Sequence, residues 1–96
     1  INVAMTNKNI LLIRKQLDKL DNSFLDLVKK RTKLVDKVLS NKRYKKDIID
    51  SKRIEIIIKN IKRKSKQKNI DPKITEQIWK AMIKAYIQYE YRNFKK

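Results

Sequence analysis

From Asn7 onward the apolar residues Ile10, Ile13, Leu17, Leu20, Phe24, Leu27, Leu34 and Val38 recur in steps of three and four, with Arg31 alone breaking the series. That spacing keeps them on one face of a helix. No Pro or Gly interrupts the run before Lys42, and Thr6 or Asn7 is expected to cap its start. A helix of about 35 residues is roughly 50 Å long, against a radius of gyration near ~13 Å for a compact domain of this size. One chain of 96 residues cannot cover it. The pattern therefore predicts an intertwined oligomer in which the long helix of one subunit lies along its partner. A coiled-coil or partner-bound fragment with no site of its own is the alternative.

A polar stretch, Arg43 to Asp47, then separates this helix from a second, capped by Asp50 or Asp47 and carrying Ile54, Ile57, Ile58 and Ile61 on its apolar face. The run Lys62 to Asn69 is polar enough that the second helix is expected to fray there. Asp71-Pro72 is a restart signal, with Asp as N-cap and Pro at the first helical position. The third helix should run from Pro72 to about Phe94. It carries Ile74, Ile78, Trp79, Met82, Ile83, Tyr86 and Ile87, apolar round much of its circumference, and so should be largely buried. The fold class is all-α, with three helices per chain, the first very long. Residues 6–96 make one domain, while residues 1–5, which precede or include the initiator candidate Met5, are read as an expression remnant or a disordered N-terminus.

Composition narrows the chemistry. With no Cys and no His there is no disulfide, no thiolate or imidazole metal site, no Cys nucleophile and no Ser-His-Asp triad. Zero Gly removes the phosphate-cradling loops. The chain carries 27 basic and 10 acidic residues, a net charge of +17. Its 21 Lys against 6 Arg accompany 15 Ile, and AT-rich codons would load a surface with Lys and Ile together without any selection for a polyanion. The other reading is an anionic partner, either a polyanion met through many phosphate contacts or a small anion drawn in by a positive funnel. No segment approaches the roughly 18 apolar residues of a membrane span, and the N-terminus lacks the basic-then-apolar order of a secretory signal. A cytoplasmic protein without membrane contact is the expectation.

The polar residues that interrupt the apolar stripes are the candidate site. A cation in such a stripe is costly unless an anion meets it or it snorkels from the stripe edge, which makes Arg31 the most informative position. If the helix continues, Lys42 lies about 20° round it from Arg31 and some 16 Å along it, whereas Arg14 points about 260° away. Arg14 then serves a second, symmetry-related site. On the third helix Glu90 takes a place in the stripe of Trp79, Ile83, Ile87 and Phe94, while Gln88 is about 200° round from it. Glu90 should face inward, either protonated and donating a hydrogen bond or paired with one of the many lysines. Arg53 stands at the edge of the second helix's apolar face, beside Ile54.

Taken together, Ile10-x-x-Ile13-Arg14-x-x-Leu17-Asp18-x-Leu20-Asp21, Lys30-Arg31-Thr32-Lys33-Leu34-Val35, Lys42, Asp50-x-x-Arg53, Ile70-Asp71-Pro72 and a last helix ending near Glu90 resemble the all-helical, AroQ-type chorismate mutases, from about Thr6 to Phe94. The resemblance implies a homodimer of three-helix subunits with two identical sites for a small dianion, and no cofactor or metal. It implies that Arg14 of the partner and Arg31 hold the substrate carboxylates, and that Lys42 donates to a carboxylate and to the ether oxygen. Arg53 with the Asp50 backbone would shape the ring pocket, and Glu90 would contact the ether oxygen. Lys42, Glu90 and Arg31 are thus the catalytic candidates, and Arg14, Asp50, Arg53, Ile54 and Tyr86 complete the substrate-binding set.

Conversion of chorismate to prephenate, a step toward phenylalanine and tyrosine, is pericyclic and needs no nucleophile. Orientation and preorganised electrostatics suffice. Two positions depart from the family pattern: Ile54 replaces a common Glu that takes the ring hydroxyl, and Tyr86 replaces a common small polar residue. An aliphatic residue at position 54 resembles the isochorismate-pyruvate lyases of the same fold, which form salicylate and pyruvate. The mutase is placed ahead because some mutases with Glu at the position of Glu90 look aliphatic there too. A basic helical module that binds RNA without catalysis would explain the charge but not the positions of Arg31 and Glu90, so nucleic acid is disfavoured as a partner.

Overall fold

The computed structural model describes residues 3–95, and the side chains of residues 7–95. It contains three α-helices, α1 (Val3–Ser40), α2 (Ser51–Gln67) and α3 (Pro72–Asn93), with a short 3-10 turn at Lys45–Asp47 between the first two. The all-α expectation holds in number and order of helices. The chain divides into two units, the first ending at Leu34 and the second beginning at Val35.

Helix α1 is 38 residues long and passes through Thr6 and Asn7, so neither caps it, and Val3, Ala4 and Met5 are helical with the rest. Ile1 and Asn2 lie outside the described residues. At its other end α1 stops at Ser40, two residues short of Lys42. The backbone tightens there, with Asn41 and Lys42 donating to the carbonyls of Val38 and Leu39 at 3.1 and 3.0 Å. Ser40 Oγ and Asn41 Nδ2 both donate to the Lys37 carbonyl at 2.8 Å, meeting an acceptor that the helix end leaves without an intrahelical donor. Lys42 is therefore in the turn that follows the helix, and the angle expected between Arg31 and Lys42 on a continuous helix does not apply.

In the first unit the stripe read from the sequence is bare. Leu17, Leu20, Phe24, Leu27 and Leu34 are each half or more exposed. An apolar face of this length belongs against another surface, since burying a Leu side chain is worth about 1.5–3 kcal/mol.

The second unit holds the packed part. Asp50 caps α2 by accepting from the Arg53 amide at 3.0 Å. Asp47, the other candidate cap, instead accepts from the Tyr44 amide at 3.2 Å in the 3-10 turn. The polar end of α2 does not fray: the helix continues to Gln67. Ser65 explains this, because it is buried, donates to the Ile61 carbonyl at 2.6 Å and shares a 2.7 Å hydrogen bond with Thr75 Oγ1 of α3. Lys62 Nζ reaches Glu76 Oε1 at 3.1 Å, a second link between the helices.

The chain reverses at the end of α2 through a Schellman arrangement, with Asn69 donating to Lys66 O at 3.2 Å and Ile70 to Ser65 O at 2.8 Å. Asn69 takes the left-handed conformation, φ 58°, that this turn demands. Gly usually fills such a position. In a chain without Gly, Asn is the side chain that tolerates it best. Asp71 then caps α3 by accepting from the Lys73 amide at 2.9 Å, with Pro72 in the first turn. Helix α3 packs along α2 but is not largely buried as its sequence suggests. Ile74 and Ile78 are exposed, and Trp79, Met82, Ile83, Tyr86 and Ile87 are half-buried, because α2 covers one side of it only.

Candidate active site

The residues that bear chemistry meet in the second unit, where the end of α1 comes to the last turns of α3. Lys42 follows the helix end, and the loop after it is anchored by Ile48, one of the most buried side chains. Lys42 Nζ donates to the Ile48 carbonyl at 3.1 Å. The same ammonium faces Glu90, 3.4 Å from each carboxylate oxygen. Both side chains are withdrawn from water, Lys42 to 18% and Glu90 to 8% of full exposure. Two opposite charges so placed hold each other in an apolar setting that neither would enter alone. The inward orientation expected of Glu90 is what the structure has, and its partner is a lysine, one of the two environments that the sequence left open.

A second contact lies one residue along α3. Tyr89 Oη donates to Asp36 Oδ1 at 2.7 Å, and the Tyr89 ring meets Tyr86 edge to face at 6.2 Å between centroids. The Asp36 carboxylate, by accepting that proton, pushes the Tyr89 phenol above its ordinary value, with burial, the Asp36 charge and Tyr86 adding to the shift and Arg92 opposing it. These two residues line an open cavity of about 400 Å³ with Leu39, Ser40, Asn93, Phe94 and Lys95.

The other expected site residues are distributed along the chain. Arg14 is exposed on α1, beside a shallow hollow of about 210 Å³ formed with Asn7, Ile10 and Leu11. Arg31 is half-buried on α1. Asp50 and Arg53 are exposed at the start of α2 and joined by the cap hydrogen bond, Ile54 is half-buried next to them, and Tyr86 is half-buried on α3. The structure thus brings Lys42 and Glu90 into direct contact and sets Tyr86 against Tyr89, the neighbour of Glu90. Asp36, Tyr89 and the Ile48 carbonyl were not singled out by the sequence. No spacing rule links residues as far apart as Asp36 and Tyr89, and neither interrupts an apolar stripe in a way that marks it.

The family model described as chorismate mutase type II matches residues 13–91. The chain belongs to that family. Searches of curated proteins and of solved structures returned no match. For a type II chorismate mutase domain the three-helix order is the expected one, and the matched stretch takes in Arg14, Arg31, Lys42, Asp50, Arg53, Ile54, Tyr86 and Glu90. Family membership supports chorismate mutase activity at the level of the family, with chorismate as the substrate class. No described helix of this family member is long and apolar enough to cross a membrane.

Proposed function

We propose that the protein is a cofactor-independent chorismate mutase of aromatic amino-acid biosynthesis, working in the cytoplasm as a homodimer. The observation that carries this reading is the withdrawn Lys42–Glu90 pair within a chain matched by the type II family from residue 13 to residue 91. The bare stripe of α1 supports the dimer, since it is an apolar surface in want of a second one.

The reaction breaks the ether C–O bond of chorismate as a C–C bond forms between the enolpyruvyl methylene and the ring, in one cyclic shift of electron pairs with no atom gained or lost. The protein has two tasks. It must hold a dianion in the compact conformer, which is work for fixed cations, and it must stabilise charge developing on the ether oxygen. Arg31 and the partner subunit's Arg14 take the carboxylates in this proposal. Lys42 donates to a carboxylate and to the ether oxygen, with Glu90 on the same side of the ring. Asp50, Arg53, Ile54 and Tyr86 wall the ring. A net charge of +17 favours capture of the anion at low ionic strength.

Ile54 favours a second reading, because a half-buried aliphatic side chain cannot accept a hydrogen bond from the ring hydroxyl. That is the pattern of the lyase that eliminates pyruvate from isochorismate. Purified protein offered chorismate and isochorismate separately decides between them. Prephenate from chorismate is the expected product, salicylate and pyruvate from isochorismate would establish the lyase, and turnover of neither would overturn both.

A further inference from the structure

Lys42 and Glu90 are close but not tight. A charge-assisted N–H···O bond settles at about 2.7–2.9 Å, whereas the ammonium stands 3.4 Å from both Glu90 oxygens. The Ile48 carbonyl holds the ammonium from one side at 3.1 Å, and the placement of α3 sets where the Glu90 carboxylate meets it from the other. The tight contact is next door: Tyr89 Oη to Asp36 Oδ1 at 2.7 Å, the usual length for an O–H···O bond. Tyr89 adjoins Glu90 on α3, and Asp36 is in the last turns of α1, just before the turn that carries Lys42. The two contacts therefore join the same pair of elements, one at full strength and one slack.

We propose that Tyr89 and Asp36 are a positioning pair, whose hydrogen bond fixes the last turns of α3 against the end of α1 and so sets the gap between Lys42 Nζ and the Glu90 carboxylate. The spacing matters, which rests on the mutase reading: Lys42 is the donor proposed for the ether oxygen, and a shift of the Glu90 carboxylate would move the ammonium that has to reach it. Where the geometry of a charged donor governs rate, misplacement by ~1 Å costs up to about 10²-fold.

The groups facing the Tyr89 phenol are Asp36 from α1 and Tyr86 and Arg92 from α3, and Lys95 lines the same cavity. Among these groups Asp36 is the one that accepts the phenol's hydrogen bond. Below the ordinary phenol value of 10.0 the hydrogen bond is fully present. It is lost as pH rises through the higher value Tyr89 has in the folded chain, when a phenolate would confront the Asp36 carboxylate.

The experiment uses the full chain and the variants Tyr89→Phe, Asp36→Ala and Asp36→Asn, with Tyr91→Phe as the neighbouring control. Two quantities are read: kcat and KM for chorismate against pH, and the NMR shift of the Glu90 carboxyl carbon. Tyr89→Phe and Asp36→Ala should each lower kcat about tenfold with KM changed less than about threefold, and should move the Glu90 signal. Both should lose the part of the alkaline decline that comes from Tyr89 ionising, so that their profiles fall less steeply than that of wild type. Asp36→Asn, which keeps an acceptor for the phenol, should recover most of the activity. A Glu90 signal unmoved in folded Tyr89→Phe, as judged by helical circular dichroism, would overturn the proposal. So would a wild-type kcat in that variant. If wild type turns over neither substrate, the mutase reading fails separately, and the Glu90 signal still decides whether the pair positions it. If Tyr89→Phe does not fold, Asp36→Asn and Asp36→Ala carry the same comparison, and equal Glu90 signals in those two would overturn it.

Discussion

Truncating Leu20 to Ala should weaken the dimer without unfolding the subunit. Leu20 is 65% exposed in the single chain, on the apolar stripe of α1. Full burial of a Leu side chain is worth about 1.5–3 kcal/mol, so covering the exposed two thirds yields about 1–2 kcal/mol. A two-fold axis repeats each contact, which doubles this to about 2–4 kcal/mol per dimer. At ~1.4 kcal/mol per factor of ten, the dissociation constant should rise roughly 30- to 700-fold. Sedimentation equilibrium over a concentration series measures it directly, the wild type giving twice the 11.6 kDa chain mass. Lys15→Ala, about 140° round the helix from Leu20 and off the stripe, is the control and should leave the constant within about twofold. A wild-type chain that stays monomeric and active at micromolar concentration would refute the reasoning, as would a Leu20→Ala chain that dimerises as well as Lys15→Ala.

Arg31→Ala and Arg14→Ala should each lose about 10²-fold or more in turnover, and mixing the two under subunit exchange should restore part of it. Verified heterodimers with no recovery would mean that each site is built within one chain. Glu90→Gln, which presents an amide donor to the ether side, should keep substantial activity, while Glu90→Ala should lose about 10²-fold; equal rates in the two variants would remove Glu90 from the reaction. On the acid side the carboxyl of Glu76 is held below its ordinary 4.5, first by the hydrogen bond from Lys80 and then by that from Lys62. Its contribution to stability is therefore complete above 4.5 and lost as pH falls through the lower native value. The thermal midpoint of Glu76→Gln should fall less steeply with acid than that of wild type, and parallel slopes would show that the Glu76 ion pairs, one to Lys62 of α2 and one to Lys80 within α3, do not stabilise the fold.

Helix positions were legible in the sequence wherever a local rule operates. Asp71-Pro72 starts α3 because a capping carboxylate and a fixed φ act within one turn, and Asp50 caps α2 for the first of those reasons. The inward turn of Glu90 was legible because a carboxylate in an apolar stripe has nowhere else to go. Most of the features that the sequence does not reveal depend on partners distant in sequence. The run Lys62 to Asn69 reads as a fraying end because it is polar throughout, and nothing local reveals that Thr75 will meet the Ser65 hydroxyl. The end of α1 is a local exception: Ser40 and Asn41 are not strong stop signals in sequence, yet both close the helix by donating to the Lys37 carbonyl. The Tyr89–Asp36 contact was invisible for the same reason as the Ser65–Thr75 one: each residue is unremarkable until the fold brings the other to it.

The turn through Asn69 has a kinetic consequence. Because it joins α2 to α3 within a few residues, the contacts between those helices close a short loop, and such contacts form in microseconds to milliseconds. The bare stripe of α1 has no comparable local partner, and in a dimer its burial waits for an encounter between chains. Refolding should then separate into two kinetic phases, an early one indifferent to protein concentration that makes the α2–α3 hairpin, and a later one that accelerates with concentration as long helices find each other. Dilution of a nascent chain would delay the second phase alone, leaving a population with a formed hairpin and an adhesive rod.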